Sequence, residues 1–211
     1  MEKDLMEAAT LRIGDVAPNF WARSTAGQVA LEDYRGRWVM LISHPGDFTP
    51  VCTSEFIAFA EAKAEFAAID TVVLALSVDS LFAHLAWVRA IRDLTGVIID
   101  FPIIEDPSLA IAQAFGMLSR TADDTATVRA SIIIDPEGIV RAITYYPAII
   151  GRSVDESLRM LKALQVADRT ALMAPQGWRP GQPLLRPPGE LGKDVVAGDA
   201  ADWFYRFEDK Y

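Results

Sequence analysis

Cys52, the only cysteine among the 211 residues, lies between a predicted strand and a predicted helix. The apolar run 38–43 has the length of a buried strand, and residues 51–68 repeat apolar side chains at a helical period. Thr49 suits the N-cap of that helix and Pro50 its first position, so Cys52 falls in the first turn, where unpaired N–H groups favour an anion. Because such surroundings, with a cation nearby, lower the pKa of a cysteine from about 8.5 to about 3.5–7.5, the pattern predicts a reactive thiolate.

The residues around this cysteine form a recognisable motif. Pro45, Thr49 and Cys52 follow the order Pro, three residues, Thr, two residues, Cys, and His44 precedes the proline. This motif resembles the active-site signature of the peroxiredoxins, and the preceding histidine is similar to the one-cysteine subfamily. The resemblance extends along nearly the whole chain in colinear segments, at 17–20, 77–87, 129–136, 151–152 and 177–181.

The resemblance implies a peroxidase reaction at the motif. Cys52 would attack the terminal oxygen of a hydroperoxide and become a sulfenic acid, the first reversible product of cysteine oxidation. The Thr49 hydroxyl would turn toward the sulfur and the peroxide, and Pro45 would form a pocket wall that offers no competing donor. Each residue has a structural alternative, namely an inert buried cysteine, a plain N-cap and a turn proline. The position of all three within one motif favours the catalytic interpretation.

Four further residues are candidates for the pocket. The resemblance implies that Arg129, just before an apolar strand, holds the thiolate and polarises the peroxide, a role that suits a permanently charged fork of donors. Arg152 is similar to a second arginine of such sites, and Glu55 is a candidate to orient both arginines. Without the motif, Arg129 would be interpreted as a surface charge and Glu55 as an exposed first-turn acid. His44 either contacts the substrate and modulates the thiolate or fills a pocket wall.

The rest of the sequence offers no metal or cofactor motif. Two histidines and no CxxC spacing predict neither a metal site nor a dithiol redox centre, and His84 is interpreted as a structural histidine on a helix. Some one-cysteine relatives carry a lipase-like Gly-Asp-Ser-Trp-Gly before the first central strand. Residues 34–38 read Tyr-Arg-Gly-Arg-Trp here, so phospholipase activity is not expected. Without a second cysteine, the oxidised enzyme needs an external thiol, such as glutathione, a thioredoxin-type protein or another small thiol.

Composition predicts a globular chain with its own core, since 51% of the residues are hydrophobic and 23% are charged. The net charge of −9 and the sequence pI of about 4.7 have the wrong sign for binding a phosphate backbone, so nucleic acid is not an expected partner. No stretch reaches transmembrane length and no export signal is visible, so no membrane association is expected. A lone cysteine excludes an intrachain disulfide, and a cytoplasmic location is predicted.

Alternating strand and helix patterns predict an α/β fold. Helical patterns at 51–68 and 80–95 separate apolar strands, which indicates a sheet with a parallel portion flanked by helices. A turn at 136–138 joins two further β-rich runs as an antiparallel hairpin, and a helix over about 153–168 follows. The predicted strands are 38–43, 71–78, 98–104, 128–135 and 139–146. This order fits a thioredoxin-like fold with a central mixed sheet, which the resemblance also implies.

The chain is predicted to divide into a thioredoxin-like domain, 1–170, and a C-terminal arm, 171–211. The arm is rich in proline, which opposes a long helix or a central strand. It also carries aromatic side chains that are costly to leave in water, namely Trp178, Trp203, Phe204, Tyr205 and Phe207. We therefore expect an extended arm that packs on its own domain or on a second subunit. The resemblance favours a homodimer contact, with a higher oligomeric ring as the alternative.

Three hypotheses account for these features. The first is a one-cysteine peroxiredoxin that reduces hydrogen peroxide and alkyl hydroperoxides at Cys52 without metal, haem or flavin and is restored by an external thiol. The second is a redox-sensing or holdase oligomer whose assembly changes when Cys52 is oxidised. The third is a thioredoxin-like binding module with a vestigial cysteine, which predicts no thiolate at neutral pH. Steady-state turnover with added thiol separates the first two, because a sensor oxidises once and stalls.

Overall fold

The structure is a computed structural model that describes residues 11–118, 125–188 and 204–209. The chain forms two compact units, Met1–Val154 and Asp155–Tyr211. The first unit contains the predicted strands with their connecting helices, and the second contains the last helix and the proline-rich segment. The predicted division lies later in the chain, between the last helix and the arm, and the domain assignment stays a prediction.

In the described part of the chain, the first unit is built around one seven-stranded sheet. The strands are β1 (Trp21–Ser24), β2 (Gly27–Ala30), β3 (Trp38–Ser43), β4 (Thr71–Ser77), β5 (Ile103–Glu105), β6 (Arg129–Ile134) and β7 (Val140–Tyr146). The connecting helices are α1 (Pro50–Glu61), α2 (Lys63–Ala68), α3 (Leu81–Thr95) and α4 (Ala110–Ala114), with a 3₁₀ turn at Leu31–Tyr34. The strand order is β2-β1-β5-β4-β3-β6-β7. β3, β4 and β5 run parallel and the other pairs are antiparallel, which confirms the predicted mixed sheet.

The central strands of the sheet are buried and mostly apolar. Every residue of β3 and of β6 is buried, as expected for central strands of an α/β sheet. Leu41 of β3 pairs with Leu74 of β4 on one side and with Ile132 of β6 on the other. β3 and β4 stay in parallel register from Trp38 to Ser43, so their carboxyl ends reach the same edge of the sheet. Loops that leave this edge are where ligand sites of such sheets lie.

Some predicted elements differ from the structure. The predicted helix 51–68 is broken at Ala62, where α1 ends and α2 begins. The predicted strand 98–104 overlaps β5 only at Ile103 and Ile104, because Pro102 lacks the N–H that a central ladder requires. The hairpin β1–β2 and the short α4 are absent from the sequence-based prediction, because strands of four residues and a helix of five carry too little periodicity.

The second unit contains one long helix and a short two-stranded sheet. The helix is α5 (Val154–Thr170), which agrees with the helix predicted over about 153–168. The strands are β8 (Leu184–Leu185) and β9 (Phe207–Glu208), which pair antiparallel. Nowhere in the described residues of the chain is a helix both long and apolar enough to cross a membrane.

The described part of the predicted arm packs partly on α5. Trp178 and Leu184 are buried together with Ala163 and Val166, and the Trp178 indole N–H donates to the carbonyl of Gln182. Aromatic side chains near the end of the arm are exposed in the single chain, namely Phe204, Tyr205 and Phe207. Trp203 lies outside the described residues. The arm therefore buries one part of its apolar surface within its own unit and leaves another part uncovered.

Candidate active site

Cys52 lies in the first turn of α1, where the sequence predicted it. β3 ends at Ser43, and the loop that leaves this edge of the sheet leads to Pro50, the first residue of α1. Cys52 has no exposed surface. A hydroperoxide therefore reaches the sulfur only when the residues that cover it move.

Thr49 occupies the N-cap position of α1, but its side chain does not cap the helix. Its carbonyl accepts the Thr53 N–H at 2.9 Å, and its hydroxyl donates to the carbonyl of Gly46 at 2.9 Å. The side-chain cap expected from the sequence is therefore not made. Because the hydroxyl hydrogen is engaged by Gly46, the lone pairs of Oγ1 remain as acceptors for a donor on the substrate.

Glu55, three residues after Cys52 in α1, joins two arginines. We call Glu55, Arg129 and Arg152 the arginine cluster. Arg129, the first residue of β6, donates from Nη1 to the Glu55 carboxylate, and the same Nη1 lies 3.5 Å from the Cys52 Sγ. Its Nη2 donates to the carbonyl of Ala148 at 2.7 Å. The three side chains of the cluster are at most 2% exposed, so the ion pairs are shielded from solvent.

Arg152 holds the other side of the Glu55 carboxylate. Its Nε donates to Oε1 at 2.9 Å and its Nη2 to Oε2 at 2.7 Å, a two-pronged contact that fixes the carboxylate plane. Its Nη1 donates to the carbonyls of Ser43 and Ala130 at 3.0 and 2.7 Å. Arg152 is thus anchored to the backbone of β3 and β6, and it orients the carboxylate that holds Arg129.

The arginine cluster carries a surplus positive charge. Burial raises the pKa of Glu55, but the hydrogen bonds and charge of Arg152 and the charge of Arg129 outweigh burial and hold it below the usual 4.5. Guanidinium groups stay protonated at any working pH. Two cations and one carboxylate therefore leave one positive charge to stabilise negative charge beside the sulfur.

His44 belongs to a second buried group. We call His44, Asp47 and His84 the histidine cluster. The Nε2 of His44, in the loop after β3, lies 2.9 Å from Oδ1 of Asp47, and the Nδ1 of His84, in α3, lies 2.8 Å from Oδ2. The side chains of His44, Asp47 and His84 are 0%, 2% and 0% exposed. The structure therefore places His44 in a hydrogen-bonded group of its own rather than in the arginine cluster.

Burial and hydrogen bonding set the charges of the histidine cluster. Burial raises the pKa of Asp47, but the hydrogen bonds from His44 and His84 outweigh it and hold the pKa below 3.8. Burial lowers the pKa of His44 below 6.5, against the hydrogen bond and charge of Asp47. At neutral pH the cluster therefore holds a carboxylate next to a neutral His44.

The histidine cluster also has the spacing of a metal-ligand group, since its donor atoms lie within 4.8 Å of one another. The hydrogen bond that the carboxylate accepts from each ring accounts for this spacing without a cation. The outer nitrogens, His44 Nδ1 and His84 Nε2, have no hydrogen-bond partner among the described residues. Metal-bound histidines as a rule donate from the outer nitrogen, so the geometry favours a hydrogen-bonded group over a metal site.

Sequence reasoning does not identify Asp47 and His84 as members of the site. From the sequence, His84 is interpreted as structural because its own helix offers no acidic partner, but Asp47 reaches it from the loop after β3. The order of the parallel strands in the sheet indicates that the two residues can meet. The segments after the parallel strands β3 and β4 start from the same edge of the sheet, so side chains on them can meet.

The predicted site residues divide between the two clusters. The structure brings Arg129, Glu55 and Arg152 together next to Cys52, and it places His44 with Asp47. Pro45 is half-buried in the loop that follows His44, and its role as a pocket wall stays a prediction.

Comparison with known proteins shows the family of this chain. The model of the AhpC/TSA family matches residues 13–143. Peroxiredoxin 2 of Caldanaerobacter subterraneus subsp. tengcongensis is 47% identical over 200 residues, which cover 92% of this chain and 90% of the relative. Peroxiredoxin 2 of Thermoplasma acidophilum is 47% identical over 170 residues, which cover 81% and 84%.

Solved structures show the same similarity. A yeast mitochondrial 1-Cys peroxiredoxin, studied for its thiol resolving mechanism via glutathione/thioredoxin systems, superimposes with a TM-score of 0.81 at 36% identity, covering 89% of this chain and 92% of the other. A cysteine-to-serine mutant of Peroxiredoxin 6 of Arenicola marina superimposes with a TM-score of 0.79 at 32% identity, covering 89% and 88%. The α/β fold with its mixed sheet is therefore a thioredoxin-like fold.

Proposed function

We propose that this chain, which belongs to the AhpC/TSA family and is a one-cysteine peroxiredoxin, carries out its thiol-dependent peroxidase reaction at the sulfur of Cys52. One observation carries the assignment of the residue. The Arg129 Nη1 lies 3.5 Å from the Cys52 Sγ within a buried cluster of surplus positive charge, which suits a thiolate nucleophile.

In the proposed step, the Cys52 thiolate attacks the terminal oxygen of a hydroperoxide. An S–O bond forms as the O–O bond breaks, the sulfur is oxidised to a sulfenic acid, and the other oxygen leaves as alkoxide or hydroxide and takes a proton from water. Arg129 supplies donors for these oxygens, and its Nε is buried with no partner among the described residues. Thr49 supplies acceptor lone pairs, and Pro45 adds a wall without a donor.

Glu55 and Arg152 take positioning roles in this proposal. Arg129 must keep its guanidinium plane toward the sulfur while the charge moves to oxygen. The Glu55 carboxylate accepts from Nη1 of Arg129, and Arg152 fixes that carboxylate through its Nε and Nη2. Preorganised donors of this kind need no rearrangement during the reaction.

The second half of the cycle requires a thiol from outside the chain. Cys52 is the only cysteine, so no resolving cysteine exists within the subunit. The yeast 1-Cys relative is studied with glutathione/thioredoxin systems, which supports glutathione or a thioredoxin-type protein as candidate reductants here. These reductants are characteristic of the cytoplasm, so we further propose a cytoplasmic location, which cell fractionation would check.

Replacement of the cysteine tests the proposed function. We expect Cys52→Ser to abolish peroxide reduction, because serine cannot form the sulfenic acid. In the wild type, one equivalent of peroxide should add one oxygen to the intact mass, at a site that a sulfenic-acid trap labels, and excess peroxide should push it to sulfinic and sulfonic acid. A wild-type protein whose mass does not change under peroxide would contradict the peroxidase assignment of Cys52.

Turnover with added thiol separates an enzyme from a sensor. With glutathione or a thioredoxin system present, an enzyme consumes many equivalents of peroxide per subunit. A redox-sensing or holdase oligomer oxidises once, changes its assembly and stalls. Stopped-flow oxidation with several hydroperoxides, followed by a screen of reductants, would decide between them and identify the preferred substrate.

We also propose that the exposed end of the arm contacts a second copy of the chain. Phe204, Tyr205 and Phe207 stay exposed, although their rings would gain free energy from burial. Deleting 171–211 would be a poor test, because it also removes Trp178, which is buried within its own unit. We expect Tyr205→Ser with Phe207→Ser to weaken the homodimer.

Sedimentation over a range of concentrations measures this effect. Leu94→Ser, which changes an exposed apolar residue of the first unit, is the matched control and should leave assembly as it is. An unchanged dimer in the double variant would show that the arm contributes little to assembly. A larger wild-type species would indicate the ring rather than the dimer.

A further inference from the structure

The histidine cluster is buried as deeply as the arginine cluster, but the proposed reaction gives it no task. Three hydrogen bonds hold Asp47 in place, two to its carboxylate and one from its backbone N–H. Asp47 accepts from both histidines at 2.8 and 2.9 Å, and its backbone N–H donates to Oδ2 of Asp79 at 3.0 Å. Such a group is expensive to bury unless every part is satisfied, yet one nitrogen of each ring has no partner among the described residues.

The hydrogen bonds decide which nitrogen of each ring carries the proton. An ionised carboxylate only accepts, so both ring nitrogens that face Asp47 must donate. His44 is therefore protonated at Nε2. Because burial disfavours a second proton on this ring, its Nδ1 carries a bare lone pair. By the same argument Nδ1 of His84 donates to Asp47.

The ring of His44 packs against the helix that carries the cysteine. Its centroid lies 4.8 Å from that of Phe56, which is one helical turn after Cys52 in α1. On another side it lies 5.3 Å from the ring of Trp87, whose indole N–H donates to the Thr53 hydroxyl at 3.2 Å. These aromatic contacts leave the ring little freedom to rotate, so its orientation is set by packing and by Asp47.

The backbone of His44 is fixed as well. Its N–H donates to the carbonyl of Leu76, near the end of β4, at 3.1 Å. Its carbonyl accepts from the Thr127 hydroxyl at 2.6 Å. The next residues along the chain are Pro45 and the loop that ends in Thr49. A change in the histidine cluster would therefore act on the segment that forms one side of the proposed pocket.

A hydroperoxide needs an acceptor as well as donors. Arg129 offers donors only, which suit the peroxide oxygens, whereas the O–H of the hydroperoxide needs a lone pair. Thr49 Oγ1 is one candidate, and the buried Nδ1 of His44, which has no partner among the described residues, is another on the same stretch of chain.

We propose that Asp47 and His84 are positioning residues of the peroxidase reaction, acting through His44, whose Nδ1 they hold as an unprotonated acceptor for the O–H of the hydroperoxide. This inference rests on the proposed function of Cys52. No proton leaves the substrate at this point; the acceptor orients the O–H while the sulfur attacks. His84 contributes by donating to Asp47 from α3, which keeps the carboxylate facing His44.

The tautomers can be observed without any reaction. In the full-length reduced protein, labelled with ¹⁵N in its two histidines, NMR at neutral pH should show His44 protonated at Nε2 and His84 protonated at Nδ1. Asp47→Asn, whose amide can donate as well as accept, should disturb this assignment. Detection of His44 protonated at Nδ1, or at both nitrogens, would overturn the proposal.

Two substitutions of His84 test its role in the rate. The side-chain nitrogen of asparagine lies near the position of a histidine Nδ1, so His84→Asn keeps a donor to Asp47, whereas His84→Leu removes it. We expect the second-order rate constant for peroxide reduction to fall at least about tenfold in His84→Leu and to recover most of that loss in His84→Asn, because loss of orientation alone can cost up to about 100-fold. Equal rates in wild type and His84→Leu, or equal losses in both variants, would refute a positioning role.

A substitution of His44 tests the roles of its two nitrogens separately. The amide nitrogen of glutamine lies near the position of Nε2, so His44→Gln keeps the donor to Asp47 but has no acceptor at Nδ1. The rate of peroxide reduction should fall as far as in His84→Leu, while alkylation of Cys52 by iodoacetamide, which has no O–H to orient, should change less. A His44→Gln protein as fast as wild type would overturn the proposal. If His84→Leu does not fold, this variant and the tautomer measurement decide the question.

Failure of this inference and failure of the proposed function give different results. If Cys52 of the wild type does not react with peroxide, the proposed function is wrong, whatever the tautomers. If the wild type reacts but the histidine variants match it, the peroxidase assignment stands and only the positioning role falls.

Discussion

The two buried clusters share a layout and differ in chemistry. In each, one carboxylate accepts hydrogen bonds from two basic side chains, Glu55 from two arginines and Asp47 from two histidines. The guanidinium groups are permanently charged, so the arginine cluster keeps a surplus positive charge. Burial keeps the pKa of His44 below 6.5, so at neutral pH this ring adds no positive charge next to the Asp47 carboxylate. The permanent charge lies beside the sulfur, whereas the histidine cluster contacts the helix of Cys52 through the ring of Phe56.

The largest expected effect is on stability, from removing the charge of Glu55. Glu55→Gln leaves two buried guanidinium groups without a counter-charge, and breaking a buried ion pair costs about 3–5 kcal/mol. Urea unfolding at pH 7 would measure the loss. Glu156→Gln is the control, because Glu156 pairs with Arg159 at a half-exposed site where such a pair contributes about 0–1 kcal/mol. Similar losses in both variants would mean that the arginine cluster is no more shielded than the surface pair.

The second-largest expected effect distinguishes the role of Arg129 in the rate from the role of Arg152 in stability. Arg129→Lys should slow peroxide reduction about 100-fold, because lysine loses the fork of donors that faces the sulfur and the leaving oxygen. It should slow alkylation of Cys52 less, since alkylation has no leaving oxygen to stabilise. Arg152→Lys loses contacts to Glu55 and to backbone carbonyls, so its main effect should be on unfolding.

Stopped-flow oxidation and urea unfolding of both arginine variants give a two-by-two comparison. The division of tasks requires that Arg129→Lys change the rate more than the stability and that Arg152→Lys do the reverse. The same ratio of effects in both variants would show that the cluster acts as one unit.

The two clusters should also lose stability at different pH. His44 has a folded pKa below 6.5, so as pH falls below 6.5 the unfolded chain binds a proton that the folded chain does not, and stability decreases until the folded pKa is reached. The groups that face His44 are Asp47, His84 and Arg152. Glu55 has a lowered pKa as well, but its contribution is lost only as pH falls below about 4.5.

We therefore expect a two-stage loss of stability on acidification. The upper stage, below pH 6.5, has a slope of at most about 1.4 kcal/mol per pH unit for one proton. The chain has only two histidines, so few groups other than the cluster titrate there. Urea unfolding at several pH values should show the upper stage in the wild type and a smaller one in His44→Gln. Equal slopes in the two proteins would assign the upper stage to another group.

All three members of the arginine cluster were site candidates from the sequence, whereas only His44 of the histidine cluster was. Cys52, Glu55 and Arg129 lie in segments that resemble the peroxiredoxins, and the resemblance implies that they share a site; the strand β3 is bounded as predicted. Asp47 lies inside the same motif, but nothing in its spacing shows that its partner is His84, thirty-seven residues away. That contact depends on the parallel register of β3 and β4, which only the folded sheet fixes. The break of α1 at Ala62 escaped prediction for a related reason, since alanine favours a continuous helix.

The smallest expected effect tests whether the start of α3 or the hydrogen bond to Asp47 positions His84. Ser80 is the N-cap of α3, and its hydroxyl accepts the N–H of Ala83 at 3.3 Å. Ser80→Ala should cost about 1 kcal/mol of stability, since the first turn of α3 loses its side-chain cap. His84 lies in that part of α3, but Asp47 holds it by a direct hydrogen bond, so the rate of peroxide reduction should change by less than about threefold. Urea unfolding and stopped-flow oxidation of the same sample measure both quantities. A rate loss as large as that of His84→Leu would mean that the start of the helix, and not the bond to Asp47, sets the histidine cluster.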